Sequence, residues 1–317
     1  MSVKAILAAG AFALSGTGIA LAETQLNMGG STNTSAFFPY YTAIANAISA
    51  DAPDLNVTVV SSGGLAKNGV LLQRGELDFA SLSPDLISDA EARGYDGFRT
   101  LWWSIPAIQN MMATEKSGIT GISGFAGHCF HPGMNGSSGQ KTMLNILKVL
   151  DIKPDLYMSD SGDAINAIKS GRCDGQMKAT TALALDAASA ELNLTTPLKG
   201  VGYDQAQMQA IKAAIPWISF TEMPADTARN DQPYFVHSIW IGFVTTRDLP
   251  EQTGYEIVRG MVSGLEEQRL ALKYLNGVDI IRQTLEVADA PLHAGAVRFF
   301  REQGYDVPDA LVPPEMK

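Results

Sequence analysis

Apolar and polar positions alternate along this chain in two registers, the two-residue period of strands and the three- and four-residue spacing of helices. Thr24 to Gly29 reads as a first strand, Tyr40 to Ala50 as a helix, and Val57 to Ser61 as a β-branched second strand. Ser61 to Asp85 then holds a complete helix-and-strand unit. Gly63 and Gly64 form a turn in which positive φ carries no steric cost. Val70, Leu71 and Leu72 make the apolar face of a short helix flanked by Lys67, Asn68, Gln73 and Arg74, and Gly75 stands where a helix C-cap glycine belongs. Leu77 to Leu82 follows as a strand that delivers Ser83, Pro84 and Asp85 to a loop. Strands separated by helical patterns predict a mostly parallel sheet. Loops at the carboxyl ends of such strands are the usual ligand side.

Leu101 to Pro106 and Ile108 to Ala113 are apolar and strand-like, and predict a crossing into a second lobe. The pattern then repeats: a strand at His128 to His131, a helix at Ser138 to Leu150, a strand at Leu156 to Met158 and a helix at Asp163 to Lys169. A strand at Cys173 to Met177 and a long helix at Ala179 to Leu192 complete this half. Pro197, Pro216, Pro224 and Pro233 punctuate a less regular region before Phe235 to Thr245 carries the chain back. Tyr255 to Arg301 reads as helices that close over the first lobe. The expectation is an α/β chain of two lobes, with residues 23–112 and 236–317 in one and 113–235 in the other. A hinge and an interlobe cleft lined by βα loops follow from that arrangement.

The first residues change the picture of compartment. Lys4, an apolar run over residues 5–14 and Ala20-Leu21-Ala22 make a secretory signal over 1–22 with an A-x-A cleavage site, so a periplasmic, monomeric mature chain is expected. A net charge of −10 without basic clusters argues against nucleic acid and against anionic membrane surfaces. The two cysteines, Cys129 and Cys173, each begin a strand. Neighbouring strands in an exported protein predict a disulfide between them, the alternative being two buried thiols.

Candidate chemistry gathers in the loops. Ser31, Thr32, Asn33 and Ser35 precede Phe37-Phe38-Pro39 and a helix, a setting in which backbone amides and hydroxyls bind an anion without arginine. Asn135-Gly136-Ser137-Ser138-Gly139-Gln140 occupies the equivalent place in the second lobe, with Ser137 and Ser138 the preferred donors. Ser62, Gly63, Gly64 and Asn68, with Ser83 and Asp85, complete the polar set. Lys67 and Lys178 lie on the loop side, and either ammonium would neutralise a second carboxylate on the ligand. In His128-Cys129-Phe130-His131 alternation puts His128 and Phe130 on one face and Cys129 and His131 on the other. Only the second pair could share a metal, and Cys129 has Cys173 as its partner, which speaks against a metal and leaves His131 as a pocket residue. No G-x-S-x-G elbow, H-E-x-x-H, Walker loop or G-x-G-x-x-G occurs, so neither an enzyme nor a cofactor is expected.

Ser62-Gly63-Gly64, Asn68, Leu71-Leu72-Gln73-x-Gly75-Glu76-x-Asp78 and Asp85, then Phe37-Phe38-Pro39 and Leu292-His293-x-Gly295-Ala296, resemble the TAXI class of solute-binding proteins. These are the periplasmic receptors of tripartite ATP-independent (TRAP) transporters, and the likeness is collinear over nearly the whole mature chain. It implies a type II-like two-lobed binding-protein fold. It also implies capture of a small organic anion, glutamate or another organic acid, for an integral-membrane TRAP permease, and among these Lys67 and Lys178 favour a C4–C5 dicarboxylate or 2-oxo acid. Lys67 departs from the pattern, where the family often has an acid, and Gln140 stands in a Thr position. A binding module for a membrane sensor, or an exported enzyme on the same scaffold, are the competing readings.

Overall fold

The computed structural model describes residues 23–31 and 37–317, and one mixed sheet runs through both halves of it. The first half contains β1 (Thr24–Gly29), α1 (Phe38–Asp51), β2 (Leu55–Val60), α2 (Leu65–Gln73), β3 (Phe79–Leu82), α3 (Pro84–Ala92) and β4 (Phe98–Thr114). The second adds β5 (Cys129–His131), α4 (Ser138–Val149), β6 (Asp155–Leu156), α5 (Ser161–Lys169), β7 (Gly175–Thr180) and α6 (Ala187–Thr195). It continues through β8 (Leu198–Val201), α7 (Gln205–Ala214), β9 (Ser219–Met223) and β10 (Tyr234–Thr246). The chain ends in α8 (Glu251–Ser263), α9 (Leu265–Ala271), α10 (Ile280–Val287) and α11 (Ala294–Glu302).

The strand order is β2-β1-β3-β10-β4-β7-β5-β6, with β8 on β4 and β9 on β10. β1 to β3 are parallel to one another, as are β5 to β7, whereas β4 and β10 pair antiparallel. These two long strands belong to both lobes. Leu82, the last residue of β3, lies beside Gly242, which in turn faces Trp103. From the other side Thr180, the last residue of β7, lies beside Ile108. The carboxyl ends of the parallel strands of both lobes therefore converge on the middle of β4. Such convergence is what a cleft between two βαβ lobes requires.

Each lobe has its own apolar core. In the first, Ile44, Ile48, Phe79 and Trp102 pack with Ile257, Met261, Val297 and Phe300 of the C-terminal helices. Trp102 stacks on Phe243 with ring centroids 4.6 Å apart. In the second, Phe125, Phe130, Met143, Ile146, Met177, Ile211 and Val236 form a separate cluster. Burying each such side chain stabilises by about 1.5–3 kcal/mol. The fold is α/β and two-lobed, with the strands of both halves joined across the middle.

Two sequence expectations are corrected. The long helix read over Ala179 to Leu192 is a strand end and loop followed by the shorter α6. Its start is set by Asp186, whose carboxylate accepts from the amides of Ala188 and Ser189. The proline-rich region is regular, holding β8, α7 and β9, because each proline falls between elements instead of inside one. In the second lobe Cys129, at the start of β5, is disulfide-bonded to Cys173, just ahead of the neighbouring β7. Among the described residues no helix is long and apolar enough to cross a membrane. The signal read over residues 1–22 lies outside the described residues.

Candidate functional site

The first-lobe wall is built around Asn68. Its amide, fully buried on α2, donates to the carbonyls of Gly30 (2.9 Å) and Ser81 (2.8 Å) and to Ser81 Oγ (3.0 Å). Ser62 Oγ donates to the same Gly30 carbonyl at 3.0 Å. Ser62 and Asn68 thus spend their side chains on fixing where β1 ends and the next loop departs. Gly63 (φ 94°) and Gly64 (φ 120°) make the turn between them, in conformations L side chains rarely adopt. Lys67 is exposed on α2, its Cδ 3.7 Å from where a Cβ on Gly63 would stand. Of the first polar loop, Ser31 and Phe38 are partly buried beside this wall, and Thr32, Asn33 and Ser35 lie outside the described residues.

At the carboxyl end of β3, Ser83 is the N-cap position of α3 and Asp85 sits in its first turn. Both are buried, at 0% and 5% exposure. Among the described residues Ser83 Oγ and both carboxylate oxygens of Asp85 have no hydrogen-bond partner. One turn further along, Asp89 pairs with Lys141 of α4, in the other lobe. Asp85 and Asp89 are four residues apart on one helix and share a face, so Asp85 is on the side of α3 turned toward the second lobe.

The second-lobe wall is the loop entering α4. Ser137 caps the helix by accepting from the Gln140 amide at 3.1 Å. The Gln140 side chain reaches back, donating to the Gly133 carbonyl (3.1 Å) and accepting from the Gly136 amide (2.9 Å). The loop is therefore folded by Gln140 in the position where a threonine was the expected type. The amides of Ser138 and Gly139 stand outside the intrahelical ladder, as first-turn donors must. Asn135 is exposed at the tip. A cavity of about 230 Å³ opens beside this turn, lined by Gln109, Gly133, Ser137, Gly139, Ser161 and Lys178 among others.

Lys178 lines that cavity but is not a free cation. Its ammonium lies 2.7 Å from Asp186. Burial pushes the Asp186 carboxyl up, yet the hydrogen bonds from Lys178 and Ser189 and the Lys178 charge hold it below the ordinary range. His131 is buried one step deeper, opposite Gln176 of β7, and its Nδ1 meets the Tyr157 carbonyl at 3.0 Å. Burial lowers its pKa, so it is neutral at physiological pH.

Gln109 was missed by sequence reasoning. Its side-chain oxygen sits 2.7 Å from where a Cβ on Gly139 would be, so a larger residue there would displace the Gln109 side chain. The available signal was a Gln-Asn pair interrupting an apolar strand. Asp89 and Lys141 were also missed, and nothing in their local sequence marks a contact between lobes. Because the pair is exposed, Lys141→Ala is expected to weaken ligand binding by no more than about fivefold at low salt, and not measurably near 1 M salt. Affinities at the two ionic strengths check this, and a loss above tenfold that persists in salt contradicts it.

A larger cavity of about 640 Å³ lies between Ser117–Gly124 and Gly202–Asp204. It is at the opposite end of the second lobe, beyond the end of β4 and away from the converging strand ends. Its lining contains no buried side-chain atom that lacks a partner. The smaller cavity, beside the turn into α4 and the end of β7, is the better site on chemistry. No group of acidic, histidine or cysteine side chains able to hold a metal occurs among the described residues.

The fold recurs in solved binding proteins. A TctC solute-binding protein from Polaromonas matches with TM-score 0.53 and 13% identity, over 80% of this chain and 88% of that one. The periplasmic aliphatic sulphonate-binding protein SsuA from Escherichia coli matches with TM-score 0.51 and 15% identity, over 90% and 94%. MatC from Rhodopseudomonas palustris, solved with bound malate, gives TM-score 0.51 and 14% identity, over 88% and 97%. At such identities the likeness is one of fold, that of the two-lobed periplasmic binding proteins. No curated protein sequence matches the chain. Residues 28–304 match the NMT1-like family, and the chain belongs to that family.

Proposed function

We propose that this chain is the periplasmic solute-binding subunit of a TRAP transporter of the TAXI class. It captures a small organic anion, a C4–C5 dicarboxylate, 2-oxo acid or acidic amino acid, and delivers it to the integral-membrane permease. In this reading residues 23–112 and 236–317 form one lobe and 113–235 the other, with the signal of residues 1–22 removed on export. The observation that carries it is that the α3 and α4 N-termini both stand at the converging strand ends, with Asp89 of α3 paired to Lys141 of α4. A 230 Å³ cavity opens beside the turn into α4. First-turn amides and the helix dipole favour a carboxylate there without a dedicated arginine. MatC, which has this fold, was solved with malate, a dicarboxylate. Closure of the lobes over the anion would exclude water and strengthen these contacts.

A thermal-shift screen of dicarboxylates, 2-oxo acids and amino acids tests the reading. An acid present at about 100 times its dissociation constant raises the unfolding free energy by about 2.7 kcal/mol. No shift with any acid at millimolar concentration would remove the receptor function.

A further inference from the structure

Asparagine precedes glycine at Asn68, Asn135 and Asn276 of this chain. We infer that Asn135-Gly136, in the turn entering α4, is a site of spontaneous deamidation, and that the Gln140 side chain sets its rate. The inference stands on the chemistry of this turn and holds whether or not the neighbouring cavity takes an anion.

Deamidation begins when the backbone nitrogen of the following residue attacks the asparagine Cγ. A new C–N bond forms, the bond from Cγ to its own amide nitrogen breaks, and ammonia leaves with the proton of the attacking nitrogen. Water then opens the succinimide ring at either carbonyl, leaving aspartate or isoaspartate. Glycine favours the attack because no Cβ hinders its nitrogen or its backbone rotation. The side chain must be free to swing, and the nitrogen must be able to give up its proton.

The fold answers these two requirements differently at each pair. Asn68 is fully buried, its amide donating to the Gly30 and Ser81 carbonyls, and Gly69 lies inside α2, where its own amide belongs to the helical ladder. Asn276 and Gly277 are both exposed in the turn before α10, and the Gly277 amide has no hydrogen-bond partner among the described residues. Asn135 and Gly136 are exposed too, but the Gly136 amide donates to Gln140 Oε1 at 2.9 Å. Gln140 is itself buried and donates through Nε2 to the Gly133 carbonyl at 3.1 Å, so that acceptor is held in place. A hydrogen bond made by the protonated form opposes loss of the proton. Gln140 therefore restrains the attacking nitrogen at Asn135, and nothing comparable restrains it at Asn276. The product falls where it has an effect. It places a negative charge on the turn beside the cavity that Gly133, Met134, Ser137 and Gly139 help to line. Isoaspartate also lengthens the backbone there and draws Gly136 away from Gln140.

Incubation of the mature protein in mildly alkaline buffer at body temperature, followed by peptide mapping with mass spectrometry, tests this. Asn276 is expected to convert fastest, Asn135 about fivefold more slowly, and Asn68 not measurably. In Gln140→Ala the rate at Asn135 is expected to rise to that at Asn276, with Asn276 and Asn68 unchanged. Gln140→Glu keeps an acceptor for the Gly136 amide and is expected to restore the slow rate. Asn68 is the internal reporter of global opening. A rise at Asn68 in Gln140→Ala would overturn the assignment by giving the protection to the fold as a whole. Conversion at Asn135 as fast as at Asn276 in wild type, or unchanged in Gln140→Ala, would remove Gln140 from control. No conversion at Asn135 in either protein would remove the site.

Discussion

Asn68→Ala is expected to lower the unfolding free energy by about 3–4 kcal/mol and to abolish measurable ligand binding. The buried Asn68 amide is the shared donor for the Gly30 and Ser81 carbonyls, which belong to different strand ends. Alanine removes the donor, leaves the Ser81 carbonyl without that bond, and opens a void where the packing is tight. The tightness is visible at Gly29, where an added Cβ would stand 2.7 Å from Asn68 Oδ1. Asn68→Asp should be worse than alanine, since an acceptor-only group would then face carbonyl oxygens. Urea denaturation of the three proteins measures the difference. A loss below 1 kcal/mol for alanine would show that Ser62 and Ser81 hold the turn without it.

Acidification from pH 7 to pH 4 is expected to cost about 3 kcal/mol of stability through His237 alone, a loss that His237→Asn largely removes. His237 lies on β10 with no exposure, its Nδ1 2.9 Å from the Tyr203 hydroxyl and its Nε2 without a partner among the described residues. Burial lowers its pKa from 6.5 to about 3. The folded protein therefore keeps the ring neutral while the unfolded chain takes up a proton below pH 6.5. Stability from this residue is complete above pH 6.5 and is lost progressively as pH falls toward 3. Burial lowers His131 and His293 in the same direction, so their losses add to it. Asparagine keeps an acceptor near the Nδ1 position for Tyr203 and does not titrate. Unfolding free energies of wild type and variant at pH 7, 5.5 and 4 separate this contribution from that of the carboxylates. Parallel slopes in the two proteins would contradict it.

Much of the fold could be read from the chain because, β4 and β10 apart, its strands are short and punctuated by glycine or proline. Thr24–Gly29 is bounded by polar residues, and Gly75 ends α2, so local signals and tertiary structure agree there. Ala179 to Leu192 failed for the opposite reason. Its alanine-rich string has helical propensity throughout, and only the Asp186 cap, paired with a lysine eight residues earlier, decides where the helix begins. The loops that face the cleft were legible as strand ends. What each side chain does there was not. Ser62 and Asn68 point at backbone carbonyls, Lys178 is taken by Asp186, and Asp89 meets Lys141 across 52 residues of chain. Those partners are set by the packing of the two lobes, which no local pattern encodes.

The central claim is that a single small anion is held by turns from both lobes at once. Amide hydrogen exchange, with and without the acid that stabilises most, reads this directly. Protection is expected to rise together at 62–64 and 83–86 in one lobe and at 136–140 in the other. Protection confined to one lobe, or appearing instead around 117–124 and 202–207, would contradict the account.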